Sequence, residues 1–545
     1  MELLEVIGNG DSFWKSILSV KMQYNSLLFF VFFLLFLCVF FLCRGGKKKQ
    51  ICILTGNIIF YVWAGWQPVL IVLGSGLIAF FATLKIEKIY SRYEGEKEEL
   101  SPKEQVTLFN GYKKKARKHL ILAMVLLFGV WILVKLGKLL GFATVTTFAA
   151  MYEKTGVIVP LGISYYTLST VGYILDVYWR KVVPTHNFVE FFSVMTYFPH
   201  IVQGPISKYS DLIEKFRKIP KFDFERVCFG FQLMFWGYIK KMVIADRILL
   251  YTKGVFAAPK EFAGVEIFIA VILCVVQLYA DFSGCMDIVR GISQIMGIEL
   301  AENFRQPFFS KSATEFWTRW HITLSAWTKE YIYLPIAMNP KFLKFTKKMK
   351  KNGKPWLSSF LKGMVPLIAV WLFTGLWHGT GLDYIVWGLY WCLLMTLSKE
   401  TAFIWDKLYK KIGVDTQRRY YKLFQCVRTY FIFAIGRMFT VAGSLQGCAL
   451  LWKQMFAESR LWVLSDGTFY TYGLDEKDCF VVLIGIVAMF IVDVLHEKGK
   501  RIRKTVAAQP LPIRWICYYG MIFVIVILGV YGAGYDASAF VYGAF

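Results

Sequence analysis

No Cys-x-x-Cys pair occurs in this chain, and its 11 cysteines are scattered, mostly inside apolar runs. They read as small packing residues, which excludes a disulfide framework and a cysteine metal site. No His-x-x-x-His or carboxylate–histidine pair stands at ligand spacing, so no metal is expected. A Gly-x-Ser-x-Gly elbow is missing, which argues against a hydrolase-type nucleophile, and there is no nucleotide-binding fingerprint and no bound cofactor to expect. Nor is there an internal repeat, which weakens the case for a transporter built from duplicated halves. Charge is scarce too, at 18% of 545 residues, and acidic residues are outnumbered 37 to 63, leaving a net charge of +26. That excess does not point to nucleic acid. The basic residues sit in short runs beside apolar segments, as cytoplasmic loops do.

What is abundant is apolar and aromatic sequence: 57% hydrophobic residues, with 49 Phe, 30 Tyr and 18 Trp, at a mean hydropathy of +0.49. No water-soluble domain of this size carries that composition, so the expected fold is an all-α polytopic membrane protein. Stretches long enough to span at about 1.5 Å per residue are 25–43, 51–66, 68–84, 119–139, 156–178, 226–249, 262–282, 359–378, 382–398, 423–442, 479–495 and 513–532, about twelve in all. The polar stretch 85–118 reads as a cytoplasmic loop. Arg44 and Lys47 to Lys49 follow the first span, and HEKGKRIRK (496–504) precedes the last. Both termini are therefore expected outside, as is the loop 454–477, with 341–354 inside.

Three segments fit neither span nor simple loop. Residues 188–205 are apolar but have basic sequence on both sides, and Pro199 and Gly204–Pro205 break a helix there, so the segment reads as re-entrant, in the wall of a cavity. In 312–329, Phe316, Trp317, Trp320, Ile322 and Leu324 alternate with Glu315, Arg319 and Lys329, which predicts an amphipathic helix at the cytoplasmic surface. KFLKFTKKMKKNGK (341–354) reads as an anchor on anionic membrane lipid, or as a dock for an acidic carrier protein or a phosphate-bearing donor.

His321 and His378 each lie in tryptophan-rich sequence between apolar runs. An ionisable group at such a place marks a functional site unless it merely hydrogen-bonds a backbone carbonyl in a packed helix. Imidazole titrates near neutral pH and can take a proton from a hydroxyl, which suits a general base.

Four motifs, YFPHIVQGPISKY (197–209), YADFSGCMDI (279–288), ENFRQPFFSKSATEFWTRWHITLSAW (302–327) and GLWHGT (375–380), resemble the membrane-bound O-acyltransferase family, in the branch that acylates polysaccharides outside the cell. The resemblance implies helices around a central tunnel, with His378 catalytic and His321 as the second important histidine. Asp281, Asn303, Glu315, Arg319, Trp320 and Trp377 occupy motif positions as supporting or tunnel residues. Asp281 is expected to orient a histidine or to pair with Arg319, and Asn303 and Glu315 to act as tunnel hydrogen-bonders. The family's usual start resembles MQYNSLLFF at Met22, so 1–24 reads as an N-terminal extension, 25–532 as the acyltransferase domain and 533–545 as a C-terminal aromatic tail.

The expected reaction passes an acyl group, preferably acetyl, from a cytoplasmic thioester (acetyl-CoA or an acyl carrier protein) to a cell-wall polymer or exopolysaccharide. Two alternatives are a teichoic acid D-alanyl transferase and, in another class, a transporter or channel. The tail ends in FVYGAF, which resembles an aromatic motif of this branch whose tyrosine accepts the acyl group and hands it to an extracellular or membrane-anchored hydrolase-like partner. That assigns Tyr542 to the site, against the alternative of an interfacial anchor.

Overall fold

A computed structural model describes residues 22–64, 66–139, 162–379 and 381–531. Tyr542, the 533–545 tail and most of the 1–24 segment lie outside them. Among the described residues every regular element is helical, and the sole exception to helical pairing is an isolated antiparallel bridge between Phe304 and Trp320.

A helix occupies each of the twelve expected stretches over its described residues. Among the described residues, six helices are long and apolar enough to qualify as spans: Val69–Glu96, Phe224–Ala257, Val265–Ile295, Pro355–His378, Glu476–Glu497 and Leu511–Leu528. Two of the others fall short for physical reasons. Leu27–Leu42 has 16 residues, and Arg419–Val441 carries Arg419, Lys422, Arg428 and Arg437.

The expected loop at 85–118 is not a loop. Helices Trp66–Glu96 and Pro102–Leu139 run through it and leave only a tight connection. Its Lys and Glu residues are good helix formers once flanking apolar turns have nucleated the helix. Tyr112 donates to Glu96 across the hairpin at 2.6 Å. The helix break expected in 188–205 is present. The helix Phe188–Met195, started by Asn187 accepting from the Val189 and Glu190 amides, gives way to the four-residue turn Phe198–Ile201. Neither piece is long enough to cross a bilayer.

Two apolar clusters build the core. One is phenylalanine-rich, from Phe29 and Phe33 through Phe191 and Phe198 to Trp377. The other is tryptophan-rich, with Trp317, Trp371, Trp387 and Trp391. The Val265–Ile295 helix contributes to both, and Phe224–Tyr238 crosses it at close range. A Cβ on Gly237 would lie 2.5 Å from the Gly284 carbonyl oxygen, and one on Gly291 2.6 Å from that of Gly230. Small residues at these crossings let the backbones touch, as membrane helices require in the absence of a hydrophobic drive between them.

Phe224–Tyr238 continues through a π-helical stretch, Ile239–Ala245, that carries Lys240 and Lys241. Lys241 is completely buried and sits 2.7 Å from Asp246 and 2.5 Å from Asp281. Lys240 bonds Ser283 at 2.9 Å and Asp287 at 2.7 Å. Removing one partner from a buried charge cluster costs about 3–5 kcal/mol, because the remaining charges are stranded. Lys241→Met is therefore expected to lower the thermal midpoint of the detergent-purified protein by several degrees or to prevent its accumulation. An unchanged midpoint at normal yield contradicts that reading.

Candidate active site

The site forms where three elements meet: the middle of Val265–Ile295, the chain around residues 302–328, and the C-terminal end of Pro355–His378. The expected amphipathic helix at 312–329 is instead two short helices, Ala313–Arg319 and Ile322–Thr328. Tertiary pairing breaks it. Arg305 donates its amide to the Arg319 carbonyl at 2.9 Å and Ile322 donates to the Asn303 carbonyl at 3.0 Å, so 303–305 runs alongside 319–322. Between the helices His321 takes φ 46° and ψ 52°, the left-handed region. That conformation costs a non-glycine residue about 1–2 kcal/mol, and His is among the residues that tolerate it best. It turns the imidazole inward, leaving the residue 1% exposed.

Asn303 Oδ1 is the hub of the site. It accepts from the Thr323 amide at 3.0 Å and from Thr323 Oγ1 at 2.9 Å, and lies 3.2 Å from His321 Nδ1. An oxygen fixed as acceptor by a backbone N–H leaves Nδ1 as the donor, so the neutral ring carries its lone pair on Nε2. Nε2 is buried and has no hydrogen-bond partner among the described residues. Burial pushes the imidazole down to about 3, which keeps it neutral. Phe282 packs on the ring at 4.9 Å.

His378 is the last residue of its helix, and the glycines around it determine how the chain turns. A Cβ on Gly379 would strike the Tyr384 ring at 2.1 Å, and one on Gly375 would lie 2.5 Å from the Tyr384 carbonyl oxygen. Only glycine lets the helix beginning at Leu382 fold back this closely. Trp377 lies 4.7 Å from the His378 ring and 5.9 Å from the His321 ring, centroid to centroid, and Trp387 closes on His378 at 5.2 Å. Both histidines thus border one indole at the seam of the two apolar clusters. A polar pocket of about 260 Å³, lined by Lys208, Asp211, Glu330 and Tyr331, reaches Ile322 and Thr323 beside His321. A larger apolar groove of about 400 Å³ opens near Gly264 and Ser459 and includes neither histidine.

The remaining expected residues separate into two groups. Trp320 is buried against Phe304 at 4.9 Å and Phe316 at 5.5 Å, and holds the strand-like turn before His321. Asp281 does not pair with Arg319: it faces Lys241, whose ammonium is nearer. Arg319 instead joins Glu315 at 2.9 Å and Glu497 at 2.7 Å, tying this region to the end of Glu476–Glu497. Glu315 is therefore an ion-pair partner and the N-terminal cap acceptor of Lys311 rather than a tunnel hydrogen-bonder. Thr323 and Lys241 were not expected. The doublet IKKMVIAD (239–246) inside an apolar run was the available signal for Lys241.

Residues 180–347 match the family model for the membrane-bound O-acyltransferase family. The chain carries a membrane-bound O-acyltransferase domain. That match contains Asn303, His321 and Thr323 and ends before His378. A probable alginate O-acetylase of Pseudomonas aeruginosa is 28% identical over 446 residues, covering 81% of this chain and 76% of the relative. A peptidoglycan O-acetyltransferase of Helicobacter pylori is 28% identical over 286 residues, 46% of this chain and 51% of the relative. A teichoic acid D-alanyltransferase of Bacillus subtilis is 30% identical over 256 residues, 46% of this chain and 61% of the relative. The membrane-bound O-acyltransferase domain makes the chain an enzyme, an O-acyltransferase, and the transporter alternative finds no support.

Proposed function

We propose that the chain takes an acetyl group from a cytoplasmic thioester and passes it across the membrane for O-acetylation of an extracellular polysaccharide. The observation that carries this is the pair of buried histidines on Trp377, one with a buried Nε2 that no described residue bonds and with a polar pocket reaching the next two residues, Ile322 and Thr323. The preference for acetyl rests on the alginate O-acetylase likeness, which runs over far more of the chain than the D-alanyltransferase likeness. In this reading the polar pocket admits the donor, acetyl-CoA or a carrier-protein thioester. Its Lys208 is held by Glu330 at 2.7 Å, and Lys181 reaches the same carboxylate at 2.8 Å.

Chemically, the acceptor hydroxyl gives its proton to the His378 imidazole as its oxygen attacks the thioester carbonyl. The C–S bond breaks, and the proton is returned to the departing thiolate. His321, fixed by Asn303, presents a second lone pair to the same space. The twelve helices serve as spans, with both termini and 454–477 outside and 341–354 inside on anionic lipid. Tyr542 is the first acceptor: thirteen residues beyond 532 extend roughly 40 Å at about 3.3 Å each, which lets the tail fold back. A phenyl ester keeps enough transfer potential to acylate a hydrolase-like partner outside.

The test is covalent labelling. With a radiolabelled acetyl thioester, the parent chain is expected to carry base-labile label, and Tyr542→Phe to carry none and to lose polysaccharide acetylation at equal protein level. A Phe variant that acetylates polysaccharide like the parent excludes the tyrosine relay.

A further inference from the structure

A second polar pocket, of about 330 Å³, lies between the Phe224–Ala257, Val265–Ile295 and Arg419–Val441 helices; its polar lining is Thr252, Lys253, Gln277, Arg437 and Thr440. No aspartate or glutamate lines it. Charges within such apolar helices are rare and are retained where they meet a partner or a substrate. Here the protein supplies no counter-charge: among the described residues, neither Lys253 nor Arg437 forms an ion pair. Arg437 Nη1 donates to Thr440 Oγ1 at 2.7 Å, and its Nε is buried without a partner. Gln277, only 3% exposed, lines the same pocket with its Nε2 unpartnered. Two cations, two hydroxyls and a buried amide donor thus line one space in which the described residues place nothing anionic.

The place is adjacent to the acyl-transfer site but not part of it. Gln277 stands five residues before Phe282 on one helix, about 7.5 Å along its axis, and Phe282 packs on His321. On the other side Arg437 follows Gly436, where a Cβ would lie 3.0 Å from Tyr390 and 3.2 Å from Trp391 on the helix beginning at Leu382.

We propose that this pocket binds an oxyanion, a carboxylate or phosphate, carried either by an acidic saccharide or by an anionic lipid headgroup. A guanidinium presents paired N–H groups to such an anion, and the lysine and amide complete its coordination. The volume falls at the lower end of small-ligand sites, about 300–1,000 Å³. This inference goes beyond the acyl-transfer reading and stands on a different set of residues.

The experiment uses the full chain in nanodiscs. A tri-uronate and a neutral triglucoside are titrated against it, and retention of phosphatidylglycerol against phosphatidylcholine is read by native mass spectrometry. The tri-uronate is expected to bind and the triglucoside not, with Kd rising at least tenfold in Arg437→Gln and several-fold in Lys253→Gln and Gln277→Leu. Arg437→Lys keeps the charge and is expected to retain most of the binding, which guards against loss through misfolding. If only phosphatidylglycerol shows this dependence, the anion is the lipid headgroup and the site stands. His378→Ala should bind like the parent, so failure of the acyl-transfer reading leaves this result untouched. The proposal is overturned if neither anion binds the parent, or if both bind every folded variant as they bind the parent.

Discussion

Replacing His378 by alanine is expected to reduce acyl transfer by at least about 100-fold, the lower bound for loss of a general base, while the protein still inserts and purifies normally. The imidazole ends a helix and lies against Trp377 and Trp387, and the turn after it is shaped by Gly375 and Gly379. Those packing elements remain in the variant. What disappears is a proton acceptor at the aromatic seam, on the indole that also borders His321. The check pairs turnover of an acetyl thioester with elution profile and thermal midpoint. A large drop in midpoint alongside lost activity assigns His378 a packing role instead.

The second large effect is expected at Asn303. One amide oxygen accepts from the Thr323 amide and hydroxyl and fixes His321 Nδ1 as the donor. Asn303→Ala strands these buried donors, each at a cost of about 1–3 kcal/mol, and frees the ring to rotate or change tautomer. Transfer is expected to fall nearly as far as in His321→Ala, together with a lowered thermal midpoint. Asn303→Asp separates the two contributions. It keeps the acceptor oxygen and places a negative charge beside the ring, which favours the protonated imidazole. That variant is expected to recover the midpoint and much of the activity, with the acid limb of the pH–rate profile moved to higher pH, where the ring becomes neutral and able to accept a proton. An Asp variant as inactive as the Ala variant, at the parent's stability, contradicts the positioning role.

Much of this architecture was visible along the chain, because hydropathy reports directly on which segments prefer lipid. Helices lie under the described part of every expected stretch, and the break near Pro199 followed from helix chemistry alone. The limits are equally physical. Length and charge keep Leu27–Leu42 and Arg419–Val441 from standing out as spans among the described residues. Lys- and Glu-rich sequence at 85–118 looked like loop but extends two helices, because such residues are polar and helix-forming at once. Periodicity in 312–329 suggested one surface helix, yet the pairing of Phe304 with Trp320 splits it and buries His321. Arg319 found Glu497, 178 residues away, rather than Asp281, and Asp281 found Lys241. Partners of this kind are set by tertiary contacts that no local pattern encodes. The histidines stood out as candidates because imidazoles amid tryptophan and glycine are costly to place in an apolar setting, while their catalytic roles came from the family resemblance of the motifs around them.

The proposed reaction has this chain transfer an acyl group using His378 as base. It is tested most directly in proteoliposomes of the parent and of His378→Ala, matched for protein level and orientation, given a radiolabelled acetyl thioester and an extracted polysaccharide acceptor with its partner proteins. Base-labile label on the polysaccharide with the parent, and none above protein-free vesicles with the variant, is the predicted result. Equal labelling by the two proteins contradicts it.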